Sequence, residues 1–339
     1  MTKKIGIALV GLGPGSEPHI ASLHALHDRV DWRWCVSRSG APQRQRLLPG
    51  STRVTTDLHE VLADAAVDAV VLATPANTHL AIARQVLAAG KHTLVEKPLD
   101  VSLERAEELV RIAEASKLCF GVVLQHRFRP GAVRLRELLA SGALGELQAG
   151  MLQVPWWRSQ AGYHAQAGRG TRERDGGGVL LTQAIHSLDL FRSFVGVRKV
   201  VAAQVITTAL HTMETEDFVS ALLTLGNGAP GNLMATTAMY PGRTESIELV
   251  CTQAHVSLVG GGLQVHYHDG RTEVVDGDAK TGSGDSIMDF APDAHIALHG
   301  DFLDAITHQR EPLVSGREAL LTHRLIEEIL SAGAEDPTR

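Results

Sequence analysis

The sequence has no surplus of basic charge: 32 Lys and Arg stand against 38 Asp and Glu, for a formal net charge of −6. A general nucleic-acid binder needs cations to neutralise phosphates, so that class is excluded. Long apolar runs are also missing, since no stretch approaches the roughly 18 residues expected of a membrane span. The apolar part of the opening MTKKIGIALVGLG is too short for a signal peptide and leads straight into a glycine turn. Cysteine is scarce, and Cys35, Cys119 and Cys251 form neither a CxxC pair nor an even disulfide set. That usage suits a reducing compartment and a cytoplasmic location. Metal-ligand spacing is lacking as well: His24 with His27, and His266 with His268, have no companion Cys, Asp or Glu in a recognisable pattern, and no metal site is expected. There is no internal repeat and no low-complexity tract.

What is present is enough apolar chain, 44% of 339 residues, to fill two domains. From residue 4 to 124, short β-rich runs (KIGIALV, DWRWCVS, DAVVLAT, HTLVEK, CFGVVL) alternate with segments of helical spacing. Ser102 is a candidate helix cap and Gly90 a candidate helix stop. Such alternation predicts a parallel, doubly wound sheet over 1–124. Beyond it the rhythm changes to longer strands with apolar–polar alternation and turn signals between them. The region 125–339 therefore reads as an α+β domain with a large, mainly antiparallel open sheet, closed by a final helix that packs back on the first domain. The glycines 260–262 read as a hairpin connection, because no helix follows them.

Gly11, Gly13 and Ser16 fill the three positions of G-x-G-x-x-G/A directly after a strand and before a helix, the context of a Rossmann dinucleotide site. Gly11 permits the tight turn, Gly13 lets the backbone approach a pyrophosphate, and the helix start supplies amide donors. Ser16 departs from glycine but is small. At the end of the second strand, where an NAD site usually places a carboxylate, the sequence reads Ser37-Arg38-Ser39. Hydroxyls and a cation suit a 2′-phosphate, so NADP(H) is favoured with NAD(H) still open; a solvated loop arginine is the other reading of Arg38.

Several segments together resemble the Gfo/Idh/MocA family, the group of glucose-fructose oxidoreductase and inositol dehydrogenase. They are GLGPGSEPH at 11–19, ATPANTH at 73–79, AGKHTLVEKPL at 89–99, QHRFRP at 125–130, DGGGVLLTQAIHSLDL at 175–190, ED at 216–217, and DFLDAI with the late PLVSGREAL. The resemblance covers nearly the whole chain. It implies that Pro14, Thr74, Pro75, Asn77, His79, Glu96 and Gln125 lie along the cofactor, and that Lys97 of the EKP tripeptide meets a substrate hydroxyl beside the nicotinamide. An ammonium there orients the hydroxyl and stabilises developing alkoxide, or passes a proton. It also implies homodimers or homotetramers built through the antiparallel sheet.

In the second domain Thr182, His186, Asp189 and Ser193 follow a spacing of four, three and four, which predicts one polar face on a helix opening at glycines 176–178. His186 is the candidate general acid/base; a buried polar network is the structural alternative, strongest for Asp189. The family's commonest pattern has an aspartate where Thr182 stands, so a carboxylate is missing from the expected relay. Arg127, Tyr163, Arg169, Thr182 and Gln183 are further substrate candidates, and the aromatic, basic stretch from Trp156 and Trp157 to Gly178 reads as a lid over a polyhydroxylated ligand. The expected activity is hydride transfer at a carbinol carbon of a sugar, sugar derivative or cyclic polyol. A ring-dihydrodiol dehydrogenase and a cofactor-binding sensor without turnover are the alternatives.

Overall fold

The computed structural model describes residues 3–38, 42–166, 168–277, 283–284 and 291–334. The chain divides into two compact units, residues 1–125 with 292–320 and residues 126–291 with 321–339.

The first unit runs β1 (Ile5–Val10), α1 (Glu17–Ala25), β2 (Val30–Val36), α2 (Pro42–Gln45), β3 (Arg53–Thr55), α3 (Leu58–Ala63), β4 (Ala69–Leu72), α4 (His79–Ala88), β5 (His92–Val95), α5 (Leu103–Ser116) and β6 (Phe120–Val122). These strands form one parallel sheet in the order β3-β2-β1-β4-β5-β6. All four residues of β4 are buried, as expected of a strand covered on both faces by crossover helices. Sequence direction reverses between β1 and β4, which opens a crevice at the carboxyl ends of those strands, where ligands of doubly wound sheets bind. Ser102 caps α5 by accepting the Arg105 N–H, and Gly90 ends α4 at φ +73°.

The second unit contains α6 (Pro130–Ala140), β7 (Leu147–Pro155), α7 (Arg172–Asp175), α8 (Val179–Thr182), α9 (Ile185–Val195), β8 (Val197–Ile206), β9 (Phe218–Leu225), β10 (Pro230–Thr236), β11 (Ser246–Cys251), β12 (Ala254–Val259), β13 (Gly262–Tyr267) and β14 (Thr272–Val275). Its eight-stranded sheet has the order β14-β13-β12-β11-β7-β10-β9-β8 and is antiparallel except for the β7–β10 pair. Burial alternates along the strands, as in β12 where Val256 and Leu258 are buried and His255 and Val259 are exposed. One face carries α6 and α9. Gly260 turns the β12–β13 hairpin at φ +57°. Two further helices follow among the described residues: α10 (Asp293–His308), which packs on α1 in the first unit, and α11 (Gly316–Ala334), within which the division between the units falls.

One local expectation changes. The helix foreseen after the three glycines is two helices, α8 and α9, with Gln183 at φ −118° between them. Ala184 donates to the carbonyl of Val179, five residues back, at 2.8 Å. That wider turn shifts the phase of everything after it, so Thr182 does not share a continuous stripe with His186 and Asp189. Asp189 is fully buried, Thr182 and His186 are half-buried, and Ser193 is exposed.

Candidate active site

In the first unit the carboxyl edge of the sheet gathers the cofactor candidates. Gly11 follows β1 at φ +105°, and a Cβ on it would lie 2.4 Å from the Ala73 carbonyl oxygen, so conformation and close approach both demand glycine. Cβ positions on Gly13 and Gly15 meet nothing within 4 Å, and Gly13, Pro14 and Gly15 are exposed. The turn therefore presents open backbone in front of α1. Ser16 is buried, and its hydroxyl donates to the Gly13 carbonyl at 2.7 Å, which ties the turn together in place of a third glycine. After β2, Ser37 is buried and Arg38 exposed, with no carboxylate at either position; Ser39 lies outside the described residues.

The loops after β4 and β5 are joined by His79, which is fully buried. Its Nε2 faces the Thr74 carbonyl at 2.9 Å and its Nδ1 the Pro98 carbonyl at 3.0 Å. Thr74 accepts the Thr78 hydroxyl, the Asn77 carbonyl accepts from Arg105, and Pro75 is exposed. His79 thus acts by fixing the two loops on which other candidates ride.

Lys97 follows β5, half-buried, in a turn that Glu96 organises. One Glu96 oxygen accepts the Lys97 backbone N–H at 3.0 Å, and the other meets His19 Nε2 at 2.9 Å. Burial pushes the Glu96 carboxyl upward. The His19 hydrogen bond and the charges of His19, Lys97 and His295 outweigh it, leaving the group ionised below the usual carboxylate range. Gln125, just past β6, is buried, and its Oε1 has no hydrogen-bond partner. A buried amide oxygen left open is costly unless a ligand satisfies it. A cavity of about 560 Å³ opens at the other edge of the sheet, lined by His92, Lys117, Cys119, Phe120, Arg310 and Pro312 among others, and holds none of the candidate residues.

In the second unit the candidates form two groups. Arg127 is buried in a two-pronged ion pair with Asp189, Nε at 2.6 Å and Nη2 at 2.8 Å, and Asp189 also accepts from Thr322 at 2.8 Å. The polar network read as the alternative for Asp189 is what forms. His186 lies with its ring 5.0 Å from that of His126, tilted by 31°. The Thr182 hydroxyl donates to the Gly178 carbonyl at 2.7 Å. Gly178 itself sits against Glu216, whose carboxylate accepts the N–H of Gly178 at 3.1 Å and of Leu180 at 3.2 Å. A Cβ on Gly178 would lie 1.8 Å from the Glu216 carbonyl oxygen. The glycines before α8 and the late Glu216 are thus one packing unit.

The second group lies along the aromatic, basic stretch. The Tyr163 hydroxyl accepts from the Gln183 side-chain amide at 2.7 Å, and the Oε1 of that amide accepts from Arg158 Nε at 2.8 Å. The Arg158 guanidinium is buried over Trp156, and that of Arg169 lies 4.8 Å from the centre of the Tyr163 ring. Burial raises the Tyr163 phenol, so it stays protonated. Burial and the neighbouring His211 lower His164 to about 4. Neither ring nitrogen of His164 and not the Arg169 Nε has a hydrogen-bond partner, although all are buried. Arg158 and His164 were missed as candidates. The only signal for them was their place in an aromatic, basic run.

Two profiles of known families match the chain: the oxidoreductase family with an NAD-binding Rossmann fold over residues 5–124, and the GFO/IDH/MocA C-terminal domain over 132–257. The UDP-N-acetylglucosamine 3-dehydrogenase of Acidithiobacillus ferrooxidans is 31% identical over 261 residues, 76% of each chain. The scyllo-inositol 2-dehydrogenase (NADP(+)) IolW of Bacillus subtilis is 27% identical over 66% of this chain and 60% of its own. Among solved structures, the WlbA dehydrogenase of Bordetella pertussis, in complex with NADH and UDP-GlcNAcA, is 27% identical with a TM-score of 0.82, covering 98% of this chain and 97% of that one. With a glycine turn, an EKP loop and a mainly antiparallel second sheet in place, the chain belongs to the GFO/IDH/MocA family of NAD-binding oxidoreductases.

Proposed function

We propose that the protein is a dehydrogenase acting on a secondary hydroxyl of a sugar, sugar derivative or cyclic polyol, with NADP(H) as the favoured cofactor. The observation that carries the reading is the Lys97 turn: a half-buried lysine at the carboxyl edge of the sheet, on a backbone fixed by Glu96 and His79, one loop from the open glycine turn. The residues present fit a dinucleotide. Open space stands over Gly13 and Gly15, where a pyrophosphate can approach the backbone, and the unsatisfied Gln125 Oε1 can accept from a carboxamide. Bound nicotinamide supplies the two-electron partner for the substrate carbon. Lys97 holds the substrate oxygen and His186 exchanges its proton, while Tyr163, Arg169 and Gln183 bind further hydroxyls. The named substrates of the two relatives and the sugar ligand of the WlbA complex support this class. A sensor without turnover is the second reading, favoured by Thr182 standing where a carboxylate is expected. Nicotinamide absorbance with UDP-N-acetylglucosamine, scyllo-inositol, D-xylose and levoglucosan separates the two, since the sensor binds cofactor and turns over none.

The cofactor preference rests on Arg38, exposed beyond β2, where the sequence has no carboxylate at 37 or 38. Charge-assisted contact with a 2′-phosphate is worth about tenfold or more in affinity. Calorimetry is expected to give a lower Kd for NADP(H) than for NAD(H), with Arg38→Ala erasing the difference. Tighter NAD(H) binding by wild type would remove Arg38 from the site.

We infer in addition a cytoplasmic homodimer or homotetramer joined through the sheet face opposite α6 and α9, where among the described residues Leu222 is 57% and Val259 47% exposed. Sedimentation at micromolar concentration is expected to show a dimer or larger; a pure monomer would count against it.

A further inference from the structure

His19 closes the motif GLGPGSEPH yet has no part in holding a dinucleotide as read above. It sits in the first turns of α1 with no exposed surface, and both ring nitrogens point at ionisable groups. Nε2 meets Glu96 Oε1 at 2.9 Å and Nδ1 meets His299 Nε2 at 2.9 Å. His295 and His299, one turn apart on α10, are each 3% exposed and present their rings edgewise to His19, at 6.1 Å and 5.2 Å.

Burial, with the charges of His19 and His295, holds His299 well below the ordinary histidine range, so it is neutral. Glu96 is ionised and can only accept. His19 Nε2 therefore carries the hydrogen it donates to Glu96, and His299 completes the bond at Nδ1 in whichever tautomer His19 leaves it. The result is a rigid chain, His299–His19–Glu96, that ends on the backbone N–H of Lys97.

We propose that His19 is a positioning residue for the reaction: by clamping the Glu96 carboxylate it fixes the turn and the local charge that aim Lys97. A core histidine that merely joins α1 to α10 would need its bond to His299 alone. The bond to Glu96 is what couples it to Lys97. The proposal rests on the reading of Lys97 as a catalytic residue, so its test carries one measurement that needs no turnover.

The variants His19→Gln, His19→Asn and His19→Leu separate the two bonds. A glutamine amide places its nitrogen near Nε2 and keeps the Glu96 contact; an asparagine amide mimics Nδ1 and keeps the His299 side; leucine removes both. With NADP+ and whichever substrate of the four-compound panel wild type turns over, H19N and H19L are expected to lose about 100-fold in kcat, the cost of a displacement of about 1 Å at the reacting group. KM and the NADP+ Kd stay near wild type, and H19Q recovers most of kcat. In parallel, acetylation of Lys97 by an N-hydroxysuccinimide ester is followed by mass spectrometry with the exposed Lys3 as internal reference. Its rate is expected to rise about threefold or more in H19N and H19L, where the released Glu96 carboxylate no longer holds its charge beside the ammonium, and not in H19Q.

A folded H19N with wild-type kcat overturns the proposal, whatever the labelling shows. So does H19Q as impaired as H19N. Should wild type turn over nothing on the panel, the dehydrogenase reading falls and labelling alone decides: an unchanged Lys97 rate in H19N then overturns the clamp. If H19L does not fold, the H19Q and H19N pair carries the comparison.

Discussion

Lys97→Met is expected to lower kcat/KM by about a thousandfold, the middle of the range for removing a positioned proton-handling group, while cofactor affinity and Tm remain near wild type. Methionine keeps the length of the stem and removes the ammonium. The turn survives the change because Glu96 holds position 97 by its backbone N–H, which methionine keeps. His79 likewise grips the following residues by their carbonyls, at Pro98 and Leu99. A loss confined to kcat assigns the ammonium to the transition state; a loss confined to KM assigns it to substrate binding alone. Turnover by Lys97→Met within a few-fold of wild type would take the lysine out of the chemistry.

The largest stability effect is expected from Asp189→Ala. The carboxylate is fully buried, accepts from both Nε and Nη2 of Arg127 and from Thr322, and has Arg192 at 3.4 Å. Its removal leaves a buried guanidinium facing an empty space without its counter-charge. Breaking one side of such a pair costs about 3–5 kcal/mol, more than the pair itself contributes relative to an apolar replacement. Urea unfolding of the second unit should shift to a lower midpoint by a corresponding amount. Adding Arg127→Met to Asp189→Ala should recover part of the loss, since the stranded charge is then gone as well. A fully folded single variant with an unchanged midpoint would show that the cation is reaching water.

These two residues mark where sequence reasoning carried and where it stopped. The parallel sheet was legible because each strand, turn and helix of the first unit announces itself within about ten residues: apolar runs, Gly11 after β1, Ser102 before α5. The same holds for Lys97, whose place at a strand end follows from its neighbours. Arg127 was read as a substrate contact because nothing near it shows its partner, which lies 62 residues away. His19 and His299 meet across 280 residues, so no local pattern reports their bond. The break between α8 and α9 was invisible for a related reason. It depends on one backbone hydrogen bond, Ala184 to Val179, that a helical spacing rule assumes will run to residue 180. Arg158 and Gln183 found each other through the tertiary packing of a stretch whose composition suggested only a lid.

The interruption at Gln183 separates two short helices mechanically. In an unbroken helix, positions 182 and 186 lie one turn apart on a shared face, and a bulkier or charged residue at one must be accommodated by the other. Here α8 is anchored from its start, by Glu216 on Gly178 and Leu180, while α9 is anchored further on, by Asp189 on Arg127 and Thr322. Each half has its own foundation. A substitution at position 182 is therefore expected to leave the backbone that carries the imidazole of His186 in place.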